Sequence, residues 1–265
     1  MFKPLCALAL LTAFAGSALA PAMAQPAATP TGPTRVLEAT FNVHARGMQA
    51  GEFVFRFTQT GAAYEASAER RITGGLRLLA GSSQDYQYSV RGAVAADGAL
   101  RPDIYRHSGG RRGRVVEARF SPSDIITTSN PRMGMGDPPA TRAQKRGAID
   151  QISAIAAMVV ADGDVCARTI PVYMDGRSRF DFVMHPDGRV NINGAAYQGE
   201  GVRCRVEFRP IAGFGDPQEP SELTFLFAPT SSGMYAPVRI EMPTDDAGIV
   251  ILDARRLTVN GQRLR

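Results

Sequence analysis

The sequence predicts a mainly β protein: a large curved antiparallel sheet, in the form of an open barrel or sandwich, with one amphipathic helix packed on it. Apolar and polar residues alternate along most of the chain, as in "EFVFRFTQ" and "LTFLFA", which is the period of a half-buried strand. Turn residues separate roughly a dozen such runs, as in an antiparallel barrel or sandwich. One segment, "AIDQISAIAAMVVADG", has helical spacing instead.

The N-terminus has the three parts of a secretory signal peptide. One lysine precedes an apolar run from Leu5 to about Leu19, and small residues follow up to Ala24. We expect cleavage after Ala24, because a cut after Ala20 would place Pro21 directly behind the scissile bond. The alternative is an uncleaved membrane anchor, but the run is shorter than the roughly 20 residues that a membrane span needs.

The rest of the chain is predicted to form one domain. Residues 1–24 are the predicted signal peptide, and residues 25–34, "QPAATPTGPT", form a disordered tether with little to bury. Residues 35–265 contain no linker or repeat and are expected to form a single all-β domain with a helix near residues 150–160. We expect a soluble periplasmic monomer with no transmembrane segment in the mature chain.

The positive charge is almost entirely arginine. The formal net charge of +5 falls to +4 when Lys3 leaves with the signal peptide, and Lys145 is the only other lysine. The densest basic patch, "RHSGGRRGR", places Arg111, Arg112 and Arg114 around a predicted hairpin tip. The patch is either a solvated tip or a contact for phosphates of lipid head groups. Nucleic acid is not an expected partner, because no matching motif is present.

Two cysteines remain in the mature chain, Cys166 and Cys204. In an oxidising compartment an even pair is expected to form a disulfide. A metal site would need more Cys or His residues nearby, and a redox pair would have closer spacing. The bond would close a loop of about 39 residues, for which the chain-entropy model predicts about 4 kcal/mol.

The residues between the cysteines are predicted to form a meander. "TIPVYM" is one strand, and "SRFDFVM" is the next, with Phe180, Phe182 and Met184 inward and Arg179 and Asp181 outward. "HPDGR" is predicted to be a turn, after which "VNI" begins a further strand.

The helix is expected from about Asp150 to Val160. Ile152, Ile155 and Val159 recur at helical spacing, Asp150 is a suitable N-cap, and "DG" at residues 162–163 is a stop signal.

The preceding loop, residues 129–147, is rich in Pro and Gly and long enough to be mobile or functional. Its Met133 and Met135 would form a flap over an apolar opening or pack on the nearest edge.

No catalytic, cofactor or metal motif is recognisable, so no enzyme activity is expected. The three histidines, His44, His107 and His185, are scattered, and surface histidines are the usual case. Asp150 and Ser153 are suggestive as a pair, but a helix cap and a first-turn hydroxyl explain them.

The chain resembles the bacterial periplasmic domain-of-unknown-function 3108 family. The resemblance rests on "GMQAGEFVFRF", "DGALRPDIYRHS", "AIDQISAI", "VYMDGRSRFDF" and "GEGVRCRVEF" in this order. It implies an exported, mostly antiparallel β protein and supplies no activity, cofactor or catalytic residue.

Two functions remain, and a hydrolase with a spatially assembled site is a third class. The first is a non-catalytic binder or carrier of a lipid or amphipathic envelope component, held in a groove between the sheet and the helix, where Ala66 and Ala68 would widen the interior. The second is a structural or assembly factor of the cell envelope that acts through protein contacts.

Export predicts that the mature protein begins at Gln25. N-terminal sequencing of the protein isolated from the cell envelope should give Gln25 as the first residue, because the small residues ending at Ala24 form the cleavage site. Retention of Met1 would contradict export through a cleaved signal.

Overall fold

The computed structural model describes residues 32–73, 85–110, 112–160, 163–244 and 248–264. The predicted cleavage site, most of the predicted tether and Arg111 lie outside the described residues. Within these ranges the chain forms fourteen strands and two helices, so the prediction of a mainly β protein is confirmed.

Along the chain the strands form two groups, one before the helices and one after them. The first group is β1 (Thr34–Ala45), β2 (Met48–Thr60), β3 (Ala63–Ile72), β4 (Tyr86–Val94), β5 (Leu100–Gly109), β6 (Arg114–Phe120) and β7 (Ile125–Asn130). The helices are α1 (Arg142–Lys145) and α2 (Gln151–Val159). The second group is β8 (Arg168–Met174), β9 (Ser178–Asn193), β10 (Gln198–Ala212), β11 (Ser221–Pro229), β12 (Tyr235–Thr244), β13 (Gly248–Val259) and β14 (Gln262–Arg263).

Both groups are antiparallel meanders within one sheet. The strand order is β7-β6-β5-β4-β3-β2-β1-β13-β12-β11-β10-β9-β8, and β14 pairs with β13 outside this path. The two meanders join where β1 pairs with β13 in antiparallel register. The sheet therefore ends at β7 on one side and at β8 on the other.

The sheet curves around α2. This helix contacts β3, β4 and β5 in one meander and β8 and β12 in the other. In the β8–β9 turn, a Cβ added at Gly176 would lie 2.7 Å from Thr127 Cγ2 in β7 and 3.0 Å from Val116 Cγ1 in β6. Only glycine permits this approach, which brings the two ends of the sheet together. The result is an open barrel, and we call the gap between β7 and β8 the seam.

The core fills the space on both sides of α2. One cluster includes Phe41, Phe55, Phe57 and Tyr64, and also buries Ala66 and Ala68 of β3. The other includes Phe180, Phe225 and Phe227 together with both cysteines. Helix α2 is buried on more than one face, through Ile152, Ser153, Ala154, Ala156, Met158 and Val159.

The disulfide is formed between Cys166, just before β8, and Cys204 in β10. Both residues are buried, at 2% and 0% exposure. Strand β9 lies between β8 and β10 in the sheet, so the bond links the chain before β8 to the strand beyond β9.

A short segment, residues 141–149, bridges the seam, and we call it the clasp. On the β8 side it extends the sheet in parallel, because Ile149 N donates to Pro171 O at 2.9 Å and Tyr173 N donates to Ile149 O at 2.7 Å. On the β7 side, Lys145 Nζ lies 2.7 Å from Asp124 Oδ1 and donates to Ile125 O at 2.6 Å.

The clasp also corrects one sequence prediction. Arg179 was expected to face outward, but it is 7% exposed. Its Nε donates to Gln144 O in the clasp at 2.7 Å, and its Nη1 lies 2.6 Å from Asp181 Oδ1. The guanidinium is buried because the clasp covers it and supplies an acceptor, as a buried charge requires.

The predicted turn at "HPDGR" is wrong, because β9 runs through it. Pro186 pairs with Cys204 and Arg189 with Val202, with a register shift between them. The pairing of β9 with β8 ends at Met184, so Pro186 lies where β9 is an edge strand. A proline there removes no ladder hydrogen bond, and Gly188, with φ of +88°, fits a bulge.

The prediction for the helix is confirmed, and buried hydrogen bonds fix its first turn. Asp150 is the N-cap: its Oδ1 accepts from Ile152 N at 3.0 Å and from Ser153 N at 2.9 Å. Its Oδ2 accepts from Ser153 Oγ at 2.6 Å, and this hydroxyl lies 2.7 Å from Tyr64 OH on β3. Because Asp150 is fully buried, desolvation raises its pKa from 3.8 to about 6, against the opposing effect of these hydrogen bonds.

Removing the disulfide is expected to destabilise the fold. The double substitution Cys166→Ser and Cys204→Ser should lower the free energy of unfolding by about 2–4 kcal/mol, because the unfolded chain regains the entropy of an open loop. Urea unfolding at neutral pH measures this loss. Reduced wild-type protein is the control and should match the double variant, and equal stability of the oxidised wild type and the double variant would contradict the prediction.

Asp150 is expected to make stability depend on pH. Because its pKa is raised on folding, its contribution to the free energy of unfolding is greatest below about pH 4 and is lost as the pH rises through about 6. Relative to Asp150→Asn, which retains a capping side chain but does not titrate, the wild type should therefore gain on the order of 2 kcal/mol between pH 7 and pH 4. Urea unfolding across this range measures the gain.

The matched control is Asp124→Asn. The pKa of Asp124 is lowered from 3.8 to about 2, first by the hydrogen bond from Lys145, so its contribution is lost only as the pH falls below about 4. The difference in free energy of unfolding between the wild type and Asp124→Asn should stay nearly constant from pH 7 to pH 4. If the corresponding difference for Asp150→Asn is also constant over this range, the pKa of Asp150 is not raised on folding and the prediction is refuted.

Candidate functional site

A cleft of about 680 Å³ opens at the end of the seam where β5 and β8 begin. Its walls are the β4–β5 turn, the β6–β7 turn, the second half of the clasp, the last turn of α2 and the first residues of β8. The cleft exists because β7 and β8 do not pair, so the barrel wall is completed there by the clasp instead of by a strand.

The floor of the cleft is apolar. Ala157 and Val160 come from the end of α2, Leu100 from β5, Phe120 from β6 and Ile170 from β8. Leu100 and Ile170 are buried, and Phe120, Ala157 and Val160 are half-buried. A small side chain at Ala157 leaves room beside the helix where a larger one would fill it.

The rim of the cleft is cationic. Its lining includes Arg101, Lys145, Arg146 and Arg168, and one carboxylate, Asp97. Lys145 is bound to Asp124 and Ile125 O across the seam. Arg168 donates to Ala157 O in α2 and to Asp164 O in the segment between α2 and β8, each at 3.3 Å. These two cations therefore serve the structure.

The other two cations are exposed. Arg101 lies near the start of β5, and Arg146 follows α1 in the clasp. In the described parts of the chain, neither guanidinium has a carboxylate within 4 Å. They come from opposite sides of the seam, since β5 belongs to the β1–β7 meander and the clasp pairs with β8.

A partly buried polar cluster closes the seam at its other end. Gln151 Nε2 donates to Tyr105 OH at 2.6 Å and to Asp175 Oδ1 at 2.7 Å. Tyr105 OH lies 3.0 Å from His107 Nδ1 and donates to Asp175 Oδ1 at 3.3 Å. The cluster connects β5, α2 and the β8–β9 turn, so the side chains hold the seam together at this end.

Burial disfavours the charged form of the imidazole in this cluster. Burial lowers the pKa of His107, the carboxylate of Asp175 opposes this shift, and the cation of Arg114 adds to it. His107 is 7% exposed and is ringed by Tyr86, Tyr88 and Tyr105. The expectation of surface histidines is therefore wrong for His107.

Two of the predicted head-group residues, Arg112 and Arg114, lie away from the cleft. Arg112 is exposed in the β5–β6 hairpin, and Arg114 Nε donates to Pro131 O at 3.0 Å. The hairpin is at the other end of β5, a strand of ten residues that spans about 30 Å. These arginines therefore do not line the cleft.

The cations that do line the cleft were missed in the sequence. The segment "TRAQKR" at residues 141–146 is a compact basic run and contains the one lysine outside the predicted signal peptide. This run could have indicated an anion-binding site from the sequence. Its position beside the apolar floor of the cleft depends on the path of the clasp, which the sequence does not show.

The loop over residues 129–147 is attached to the barrel. Asp137 N donates to Phe214 O at 3.0 Å, and Gly213 N donates to Pro138 O at 2.9 Å. Met133 and Met135 do not line the cleft, whereas the end of the loop, from Lys145, does.

Two further findings concern the described residues alone. In them, no group of three or more His, Cys, Asp or Glu side chains is placed to hold a metal ion. In the same ranges, no helix has the length and apolar character needed to cross a membrane.

Comparison with known proteins gives a family and no further relative. A family model described as "Protein of unknown function (DUF3108)" matches residues 40–255. No curated protein and no solved structure gives a significant match. The matched residues run from β1 to β13 and make up most of the chain, so this protein belongs to the DUF3108 family of proteins of unknown function.

Proposed function

We propose that this protein is a non-catalytic binder or carrier of a lipid or other amphipathic cell-envelope molecule, and that it is exported to the periplasm. The observation that carries this proposal is the apolar floor of the cleft at the seam, formed by α2, β5, β6 and β8. The volume of about 680 Å³ is in the usual range for small-molecule sites. An apolar chain placed there would be removed from water, which is the main source of lipid affinity.

The position of the cleft at the seam supports ligand entry. Away from the seam the barrel wall is held by backbone ladders, but the β7 side of the clasp is held by side chains, through Lys145 with Asp124 and Arg142 with Asp124. The pair with the exposed Arg142 contributes only about 1 kcal/mol or less. A ligand that widens the cleft on this side disturbs side-chain contacts and no backbone ladder.

An assembly role through protein contacts is the second candidate. Met48 and Ile249 are 64% and 57% exposed. They lie at the same end of the barrel, because Ala45 pairs with both Met48 and Val250. Exposed apolar residues close together favour a partner surface.

Native mass spectrometry of the protein purified from the cell envelope separates the two candidates. A co-purifying lipid supports the carrier, and a co-purifying protein supports the assembly role. Uptake of a dansyl-labelled fatty acid, followed by fluorescence, tests the carrier directly. A wild-type protein that takes up neither the probe nor a lipid would overturn the proposal.

Filling the cleft should abolish most of this uptake. Ala157→Leu is expected to weaken probe binding by about tenfold, because the larger side chain occupies the space beside α2. Ala93→Leu makes the same change at an exposed position on β4 outside the cleft and should leave binding unchanged. Thermal unfolding of both variants checks that they are folded, and equal binding by Ala157→Leu and the wild type would place the ligand elsewhere.

A further inference from the structure

We infer that the ligand of this cleft is an anionic amphiphile, whose carboxylate or phosphate head is held by Arg101 and Arg146 from the two sides of the seam. This inference rests on the proposed function, since it specifies the chemistry of the molecule that the cleft binds.

The charges that line the cleft are complementary to an anion. Four cationic side chains and one carboxylate line the cleft, so its rim attracts anions. Lys145 and Arg168 are bound to groups of the protein itself. Arg101 and Arg146 are exposed at the rim with no ion pair to a described carboxylate, so their guanidinium groups are available to an incoming anion.

Arg101 and Arg146 lie on elements from the two different sides of the seam. Arg101 belongs to the β1–β7 meander, and Arg146 belongs to the clasp, which pairs with β8. An anion between them would attract both sides of the seam. It would therefore add to the link that Lys145 makes with Asp124 and favour closure over a bound chain.

The apolar floor favours an amphiphile over a free anion as the ligand. A free phosphate would use the rim alone and leave the half-buried floor residues Phe120, Ala157 and Val160 partly in contact with water. An amphiphile uses both, because its chain covers the floor while its head stays at the exposed rim. Charge and apolar surface adjoin in this cleft as they do in such a ligand.

The test compares a dansyl-labelled fatty acid with its methyl ester, which have the same chain and fluorophore and differ in head charge. The wild type should bind the acid more tightly than the ester. Each surface arginine contributes about fivefold to the attraction of an anionic head, and the preference should weaken as salt is raised. In Arg101→Gln with Arg146→Gln, the preference should fall to near one, while binding of the ester stays unchanged and shows that the cleft is intact.

The control is Arg112→Gln, an exposed arginine at the opposite end of β5 and β6, which should retain the full preference. Loss of the preference in Arg112→Gln would place the head at the hairpin and overturn the inference. An equal affinity of the wild type for acid and ester would also overturn it, with the proposed function intact. If neither probe binds, the proposed function fails as well.

Competition with inorganic phosphate shows whether the cleft binds an anionic amphiphile or a small free anion. An amphiphile site predicts that an alkyl phosphate displaces the labelled acid at concentrations where inorganic phosphate does not. Displacement by inorganic phosphate at the same concentration would show a small-anion site and overturn the assignment to an amphiphile.

Discussion

The fold depends on the hydrogen-bonded side chain of Asp150 at the start of α2. The fourteen-stranded sheet curves around α2, and the helix contributes buried side chains to both core clusters. A helix in a barrel presents four unsatisfied N–H groups to an apolar interior, where each is costly. Asp150 binds two of them and Ser153 Oγ, and Tyr64 extends the network to β3. The helix is thereby fixed to one wall of the barrel.

The open seam follows from the placement of this helix. Helix α2 contacts strands near both ends of the sheet, so β7 and β8 are kept on opposite sides of the segment that leads into it. The clasp fills this gap with one backbone bridge at Ile149 and with ion pairs to Asp124. The cleft opens beside the second half of the clasp, where no strand completes the wall. The cleft is therefore a consequence of the topology and not of a local sequence motif.

The errors in the sequence analysis have the same origin. "HPDGR" contains a proline and a glycine, which favour a turn, yet β9 continues through it because β10 supplies a partner and β8 has already ended. Arg179 follows the outward phase of its strand, yet it is buried because the clasp, 35 residues earlier, covers it. Local patterns describe a strand correctly but contain no information on its neighbours.

The sequence by itself determined the elements whose signals are local: the alternating strands, the capped helix at Asp150, the antiparallel class and the pair of cysteines. These depend on the period of apolar residues and on cap and turn chemistry, which act over a few residues. Only the tertiary structure decided which strands end the sheet, where the clasp runs and which cations meet the apolar floor. Arg101 and Arg146 are 45 residues apart and lie at one cleft because the sheet curves around α2, whereas Arg112, in the richer basic run, lies at the other end.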